Sequence, residues 1–204
     1  MSKNGVAIGS AVSATVANAV AMGSKAEASS VGAVAIGGYS ATDKTKAQGN
    51  NALAIGASAV TNGNETIAIG KSANASNANA VAVGKNANAS KANAVALGSD
   101  STTATNATSQ GSVVIGGKTI TWNGAPTVSG TGMQVSVGAA GAERQIKNVA
   151  AGAVSANSTD AINGSQLYAV AEGLRTKYVS INSTETNNQN NDGAIGSKIG
   201  RAHV

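Results

Sequence analysis

The chain has 204 residues, of which 11% are charged and 2% aromatic, and it contains no Phe and no Cys. The missing cysteines exclude disulfides, thiol catalysis and thiolate metal sites, and a formal charge of +5 without a basic run or an aromatic platform argues against nucleic-acid binding. The apolar residues are mostly Ala and Val, which predicts a thin structure with a narrow interior. No apolar stretch reaches 18 residues, and repeat sequence starts directly after Met1, so we expect a piece of a longer protein.

An apolar-x-apolar-Gly unit recurs along the chain from its start. Successive glycines of the first eight units are 14, 14, 19, 14, 14, 14 and 18 residues apart. The two longer intervals indicate loop insertions at 43–48 and near 102–109. The units occupy residues 6–9, 20–23, 34–37, 53–56, 67–70, 81–84, 95–98 and 113–116, with a ninth at 135–138.

Each repeat contains two short segments with a period of two residues, which is typical of β-strands. The first segment alternates two large aliphatic residues with Ala, and the second has small residues three and five positions after the glycine. We interpret each repeat as one coil of a β-solenoid whose large side chains meet these small residues inside. The glycine would supply the positive φ of one corner, and Asn residues five positions earlier would form the other: Asn4, Asn18, Asn51, Asn79 and Asn93.

In this orientation, the alanines between the large residues form a column on the outer face of the coils. Two buried aliphatic side chains per coil do not offset the entropy of ordering 14 residues, so we predict an obligate oligomer. The predicted interface between chains contains Ala54, Ala68, Ala82 and Ala96. The alternative is a column of exposed spacers, which would be expected to carry more charge.

Two parts of the chain carry a family resemblance. The run 79–84, Asn-Ala-Val-Ala-Val-Gly, resembles the head repeat of YadA-like trimeric autotransporter adhesins, and segments 143–152 and 160–168 resemble the neck of the same family. The resemblance implies an all-β fold, with a left-handed parallel β-roll in each chain and three rolls around a threefold axis. It also implies neck segments that cross between chains and lock a homotrimer, on a bacterial surface where the full-length protein is anchored in the outer membrane.

The neck assignment identifies further residues. It places Ile162 and Leu167 in the trimer interface, and Leu167, Val170 and Leu174 have the spacing of a short coiled coil. We interpret Asn163 and Gln166 as partners of backbone groups exposed where chains cross, and Gly164 as a site of close backbone approach or an unusual turn. The full set of expected neck residues is Arg144, Asn148, Asp160, Asn163, Gly164 and Gln166.

The resulting domain organisation has five parts. A head roll covers 1–116, an insert hairpin 117–134, a last coil 135–142, and a neck with a short coiled coil 143–175. The hairpin is predicted from alternating residues 119–122 before the turn pair Asn123-Gly124. A further module would begin in 176–204, because 178–182 resume a strand pattern and 194–196 resemble the opening of another head repeat. Residues 197–204 break the pattern, which indicates appended sequence or an arbitrary cut.

The sequence favours binding over catalysis. Carboxylates are scattered rather than paired, no phosphate-binding or calcium-repeat motif is present, and the one His lies at 203 in the anomalous tail. We therefore expect no enzyme activity, cofactor or metal, and attachment to host cells or to matrix proteins of the collagen, fibronectin and laminin class. The alternative is a structural spacer that projects a more distal binding head. Ice binding is disfavoured because the coils lack a Thr-x-Thr column.

Three residues are candidate ligand contacts. Lys71 and Lys85 occupy the same position in consecutive coils and could contact acidic glycans or proteins, although a solvated column that discourages strand addition is the interpretation we favour. Trp122 is the only Trp. It could be an exposed contact at the hairpin, but packing against a neighbouring chain is favoured.

Overall fold

The structure, a computed structural model, describes residues 4–124 and 132–182, with side chains of the helix described as far as residue 173. The chain divides into two compact units. The first comprises residues 1–121 with 125–145, and the second comprises residues 122–124 with 146–204.

The described part of the chain contains sixteen short strands and one helix. The strands are β1 (Val6–Ile8), β2 (Ser13–Ala14), β3 (Val20–Met22), β4 (Glu27–Ala28), β5 (Val34–Ile36), β6 (Lys46–Ala47), β7 (Leu53–Ile55), β8 (Val60–Thr61), β9 (Ile67–Ile69), β10 (Asn74–Ala75), β11 (Val81–Val83), β12 (Asn88–Ala89), β13 (Val95–Leu97), β14 (Ser112–Ile115), β15 (Lys118–Thr121) and β16 (Val135–Ser136). The helix α1 is Gly164–Asn182.

The first unit is a roll of two parallel sheets, which confirms the predicted β-solenoid. An eight-stranded sheet has the order β1-β3-β5-β7-β9-β11-β13-β16, and a six-stranded sheet contains β2, β4, β6, β8, β10 and β12. Each strand pairs with the equivalent strand one repeat later, so that Val81 is opposite Val95 and Ala82 is opposite Ala96. We number the coils by their eight-stranded-sheet strand, from coil 1 (β1) to coil 7 (β13).

The corners of the coils have the backbone conformations expected from the sequence. Gly84 has a φ of +135° and Asn79 a φ of +59°. A Cβ atom at Gly84 would lie 2.6 Å from the carbonyl oxygen of Gly98 in the next coil. Glycine is therefore required at this corner by both its φ and the close approach of successive coils.

The interior of the roll is filled by alanine. All nineteen buried hydrophobic residues of the described chain are Ala, and the largest fully buried side chains are Thr45, Thr61, Thr66 and Thr103. The narrow interior is therefore confirmed. Its lining from the six-stranded sheet, for example Ala87 and Ala89, is as predicted.

The predicted orientation of the eight-stranded sheet was wrong. The four alanines assigned to a chain–chain interface, Ala54, Ala68, Ala82 and Ala96, are 0% exposed inside their own roll. The large aliphatic residues point outward instead, as in Leu97, which is 47% exposed. The physical reason is the small separation of the two sheets: alanines from both sides already fill it, which leaves no volume for branched side chains.

The unit 113–116 does not form a coil, contrary to the expectation. Strands β14 and β15 form an antiparallel hairpin in which Ile115 is opposite Lys118, and Gly116-Gly117 is the turn. The roll continues from β13 directly to β16, with Val95 opposite Val135. A strand ending in a Gly-Gly turn satisfies the same apolar-x-apolar-Gly pattern. The pattern therefore did not distinguish a hairpin from a further coil of the roll. The turn pair Asn123-Gly124 follows the hairpin rather than closing it.

The second unit contains α1. Residues 178–182, which were expected to resume a strand pattern, belong to this helix. The expected repeat opening at 194–196 and the tail 197–204 lie outside the described residues. Among the residues described, no helix has the length and hydropathy required to span a bilayer.

Candidate interaction surfaces

The outer surface of the eight-stranded sheet is a continuous aliphatic face. Its side chains form two columns, in which successive residues are about 4.8 Å apart. They are only partly covered in the single chain, with Met22 37% and Leu97 47% exposed. An apolar face of this extent is unusual for a monomer and marks an interaction surface. In coils 2 to 7, the columns are Val20, Val34, Leu53, Ile67, Val81 and Val95, and Met22, Ile36, Ile55, Ile69, Val83 and Leu97.

The six-stranded sheet presents a polar outer face. Asn74 donates from Nδ2 to Oδ1 of Asn88 in the next coil at 3.3 Å. A second asparagine pair is formed along the corner, where Asn79 Nδ2 lies 3.0 Å from Asn93 Oδ1. These ladders satisfy side-chain amide donors between coils, although Asn74 Oδ1 is buried without a hydrogen-bond partner. The two sheets of one roll therefore differ in their outer chemistry, which is polar on one and aliphatic on the other.

In coils 5 and 6, the corner that follows the glycine carries a lysine. Lys71 and Lys85 are exposed and equivalent in coils 5 and 6, where the carbonyl of Lys71 accepts a hydrogen bond from the amide of Asn86 at 2.9 Å. One coil further, hydrogen bonds from Asn86 and Ser99 lower the pKa of Asp100, and the nearby charge of Lys85 acts in the same direction. Their role in ligand contact remains a prediction.

Coil 3 has an enlarged version of this corner because residues 38–42 are inserted. The predicted position of the insertion, 43–48, was wrong, since Lys46 and Ala47 form β6 in register with Glu27 and Ala28. Ser40 Oγ donates to Asp43 Oδ2 at 2.8 Å, and Ser58 Oγ of the next coil donates to Asp43 Oδ1 at 3.2 Å. These bonds, that from Ser40 above all, hold the pKa of Asp43 below its usual value. Beside this loop is a cavity of about 370 Å³ lined by Ala41, Thr42, Lys44, Lys46, Ser58 and Val60.

The C-terminal end of the roll is closed by Arg144. Its guanidinium donates to the carbonyl of Val137 at 2.6 Å, to Ser101 Oγ at 3.0 Å and to the carbonyl of Ser99. Arg144 therefore binds the last coils of its own roll, although the sequence assigned it to the neck. Next to it, the backbone amide of Glu143 itself and that of Gly141, which donates to Glu143 Oε1 at 3.0 Å, lower the pKa of the Glu143 carboxyl.

In the second unit, the expected neck residues form a polar frame within one chain. Asn163 Oδ1 accepts from the amide of Gln166 at 3.3 Å, and Gln166 Oε1 accepts from the amide of Asn163 at 3.2 Å. This reciprocal pair is a capping box at the start of α1. Gln166 also bonds both the amide (3.1 Å) and the carbonyl (2.7 Å) of Gly152, and Asn163 Nδ2 donates to the carbonyl of Val149 at 3.1 Å.

This frame corrects two interpretations. Asn163 and Gln166 bind backbone groups of their own chain, because residues 149–152 lie against the helix start. A Cβ at Gly164 would meet nothing within 4 Å and its φ is not positive, so this chain gives Gly164 neither a close approach nor an unusual turn. Asp160 Oδ2 accepts from the amide of Ala153 at 2.9 Å, and Asn148 has a φ of +60°.

The apolar residues of the second unit are exposed. Ile162 is 53%, Leu167 68% and Val170 55% exposed; the side chain of Leu174 lies outside the described residues. Trp122 is 44% exposed, and its neighbour Asn123 donates to the carbonyl of Ala156 at 2.9 Å. Interface roles for Ile162 and Leu167, and a ligand role for Trp122, remain predictions.

The described residues contain no group of three or more His, Asp or Glu side chains that could hold a metal ion. The chemistry they offer is that of surfaces: an aliphatic face, a polar face, a lysine corner and a second unit with uncovered apolar side chains.

Comparison with known proteins identifies both units. The YadA head domain repeat matches residues 17–40, 47–73 and 75–101, and the coiled stalk of trimeric autotransporter adhesins matches residues 145–197. Together these matches cover more than half of the chain. The stalk match includes residues 178–182, in agreement with their helical structure.

Three individual proteins are similar to parts of the chain. The chain is 65% identical over 40 residues to autotransporter adhesin BtaE of Brucella suis biovar 1 (strain 1330), a match that covers 20% of this chain and 5% of that protein. The collagen-binding domain of the Yersinia adhesin YadA is 27% identical, with 84% of each chain covered and a TM-score of 0.57. The C-terminal YadA-like domain of BPSL2063 from Burkholderia pseudomallei is 38% identical, with 60% of this chain and 50% of that chain covered and a TM-score of 0.44. From its head repeats, its stalk segment and its fold, the chain belongs to the YadA-like trimeric autotransporter adhesins.

Proposed function

We propose that this chain is a binding head and neck of a homotrimeric adhesin and that it attaches a bacterial cell to extracellular matrix. The aliphatic face carries this proposal, because an apolar surface spanning six coils needs cover. Three copies around a common axis cover it and leave the polar sheets outward.

Trimer formation involves the aliphatic face, in place of the alanine column first expected. Val81 and Val83 represent its two columns, and both are only partly covered in the single chain. In the second unit, Ile162, Leu167 and Val170 are each more than half exposed. Helices that associate in parallel would bury these side chains in a shared seam. The proposal therefore assigns separate apolar contacts to head and neck.

The ligand class follows from the collagen-binding domain of YadA, which the chain resembles over 84% of its length. In the proposed trimer, the polar six-stranded sheets face outward, where their side chains repeat at each coil. A repetitive flat face of this kind suits an elongated ligand such as collagen and requires no catalytic group. We accordingly propose binding, rather than an enzymatic reaction, as the activity. Fibronectin and laminin are the further candidates.

The proposed location is the bacterial cell surface, with the full-length protein anchored in the outer membrane. Similarity to an autotransporter adhesin supports this location. The chain spans about 5% of the length of that relative, so an anchor belongs to the proposal for the whole protein.

Sedimentation and solid-phase binding test the proposal together. The chain should sediment as a trimer and bind immobilised collagen more than fibronectin, laminin or albumin. The double variant Val81→Glu/Val83→Glu should dissociate and lose avidity, while Asn74→Asp on the polar sheet should remain trimeric. A folded monomer of the unmodified chain would exclude the trimer.

A structural spacer is the second candidate function. The stalk match, which continues to residue 197, supports it because a stalk projects other parts of an adhesin. A stable trimer that binds none of the three matrix proteins would favour this function over adhesion.

A further inference from the structure

We propose that the enlarged corner of coil 3 and the lysines aligned with it form a binding site for acidic polysaccharide. The site lies within one chain. It rests on the proposed function only in that a trimer would present three copies, and it concerns a ligand other than matrix protein.

The cavity beside the insertion is lined by groups that suit a sulfate or carboxylate. Lys44 and Lys46 contribute ammonium groups, and Thr42 and Ser58 contribute hydroxyls. No carboxylate lines it. Lysine ammonium groups are donors without acceptor capacity, so the lining selects for anions and for hydroxyl-bearing ligands.

The loop that forms the cavity is held by its own hydrogen bonds. Asp43 accepts from Ser40 at 2.8 Å and from Ser58 at 3.2 Å, and the amides of Thr42 and Asp43 donate to Ser40 Oγ at 3.3 and 3.2 Å. The two Asp43 contacts join the insertion to coil 4. The site is therefore preorganised, which lowers the entropic cost of binding.

At the cavity itself, Glu27 and Asp43 equal Lys44 and Lys46 in number, so the excess positive charge of this edge comes from Lys25, Lys71 and Lys85. Glu27 Oε2 lies 4.0 Å from Lys44 Nζ in a partly exposed pair, and Glu27 also occupies the strand position beside Lys46. Exposed pairs of this kind are weak, so an incoming anion can displace Glu27 from Lys44. Asp43 is engaged by loop hydroxyls. In the described part of the chain, Lys46 has no ion-pair partner within 4.0 Å.

The positive charge continues along the same edge of the roll. Lys25 in coil 2 and Lys71 and Lys85 in coils 5 and 6 occupy the corner that follows the glycine, as Lys44 does in coil 3. With about 4.8 Å per coil, this line extends over about 19 Å from coil 2 to coil 6. A line of charges matches a linear polyanion better than a single small anion.

An exposed aromatic ring favours a sugar polymer as the polyanion. Tyr39 is on the inserted loop, is 70% exposed, and its hydroxyl interacts with Asp43. An exposed ring on this loop can stack on the apolar face of a pyranose. Single-stranded nucleic acid would require several aromatic platforms along the groove, and the line of lysines has this one.

The test uses the full chain and heparin as the probe. Heparin affinity should be measured in solution at low and at physiological salt, with uncharged dextran as a control. Lys44→Ala/Lys46→Ala should weaken heparin binding roughly tenfold to thirtyfold at low salt. The charge-matched control Lys91→Ala/Lys118→Ala, away from this corner, should change it less than threefold. Tyr39→Ala, which leaves the charge unchanged, should also weaken binding.

Each alternative outcome overturns the proposal. Equal losses in the two double-lysine variants would indicate non-specific attraction, and unchanged affinity in the loop variant would exclude the site. Tighter binding to phosphatidylserine vesicles or RNA than to heparin would exclude polysaccharide as the preferred class. Sedimentation and collagen binding of the loop variant should be unchanged, so that failure here is distinguishable from failure of the proposed trimeric adhesin.

Discussion

The roll and the segment that follows it differ in how far their apolar side chains are buried within the single chain. In the roll, nineteen alanines are buried among themselves, and every coil pairs with its neighbours through the two sheets. In the segment 146–173, Asn163 and Gln166 satisfy backbone groups, but Ile146, Val154 and Leu167 are 71%, 77% and 68% exposed. One region thus has its own interior, and the other has a polar frame without a core.

From this difference we expect the two regions to depend on partner chains in different ways. The roll closes its interior with the smallest apolar side chain and places its larger ones outside, so a folded coil still has an apolar surface to bury. The segment 146–173 has no buried apolar side chain, so we expect its conformation to depend on partners. We expect head and neck to respond differently to truncation, substitution and acid.

Separating the two regions should produce the largest effect. Residues 146–182 alone should be largely unstructured at low micromolar concentration, because most helical stability in proteins comes from tertiary packing and the described apolar residues of this segment are exposed. Residues 4–145 should keep β-structure, with a melting temperature that is lower than that of the full chain and rises with concentration. Circular dichroism measures both.

The truncation has a direct contrary outcome. A helical, monomeric 146–182 peptide would show that the polar frame alone stabilises the segment. Equal melting temperatures and equal concentration dependence for 4–145 and the full chain would show that the neck does not lock the assembly.

A charge inside the roll should have the next largest effect. Ala82 is 0% exposed, so Ala82→Glu would bury an unpaired carboxylate with no space for its side chain, at about 3–5 kcal/mol or more. Asn88→Glu, on the outer face of the same coil, should cost about 0.5 kcal/mol. Chemical denaturation compares the two. Similar midpoints would mean that Ala82 does not face the interior.

That contrast also shows what the sequence could and could not determine. The 14-residue period identified the coils, and the glycine and asparagine positions identified two corners, because these two residue types adopt positive φ most readily. The positive φ of Lys25, Ser58 and Ser72 was not apparent from their residue types. The sequence did not determine which residues of the eight-stranded sheet face the interior, since Ala and Val are both apolar and their alternation does not show which of the two points inward. Only the available volume between the sheets places Ala82 inside and Val81 outside.

The hairpin and the cavity of coil 3 could not be predicted from the 14-residue period, because both depend on contacts between residues that are distant in the sequence. Residues 113–116 match the repeat, but β13 pairs with β16, and that pairing excludes β14 from the sheet. The insertion in coil 3 was visible as five extra residues. Its hydrogen bonds to Asp43 and its lysine-lined cavity became apparent only when coils 3 and 4 were adjacent.

Within the neck, loss of Gln166 should have an intermediate effect. Its side chain bonds both backbone groups of Gly152 and the amide of Asn163, so Gln166→Ala should destabilise the helix start by about 1–3 kcal/mol. The matched control is Ser165→Ala, which removes one exposed bond to Asn163 and should cost less. Hydrogen exchange at the amide of Gly152 is the most direct measurement. Unchanged protection in Gln166→Ala would show that the frame is not set by this residue.

Acid should have the smallest effect, and it should act on the roll. Asp100 accepts hydrogen bonds from Asn86 at 2.9 Å and Ser99 at 2.8 Å, of which the first contributes most to lowering its pKa below the usual 3.8. A carboxylate whose pKa is lower in the folded state stabilises that state at any pH above its unfolded value, and this stabilisation is lost as the pH falls through the folded pKa. The melting temperature should therefore be flat from pH 7 to 5 and decline below about pH 4.

Asp100→Asn should make that decline shallower, whereas Glu65→Gln, which removes an exposed carboxylate without such bonds in the described chain, should leave its slope unchanged. Because Asp100 is at the surface, the change should be small and should shrink in high salt; a decline of the same slope in Asp100→Asn and the unmodified chain would assign the acid sensitivity elsewhere.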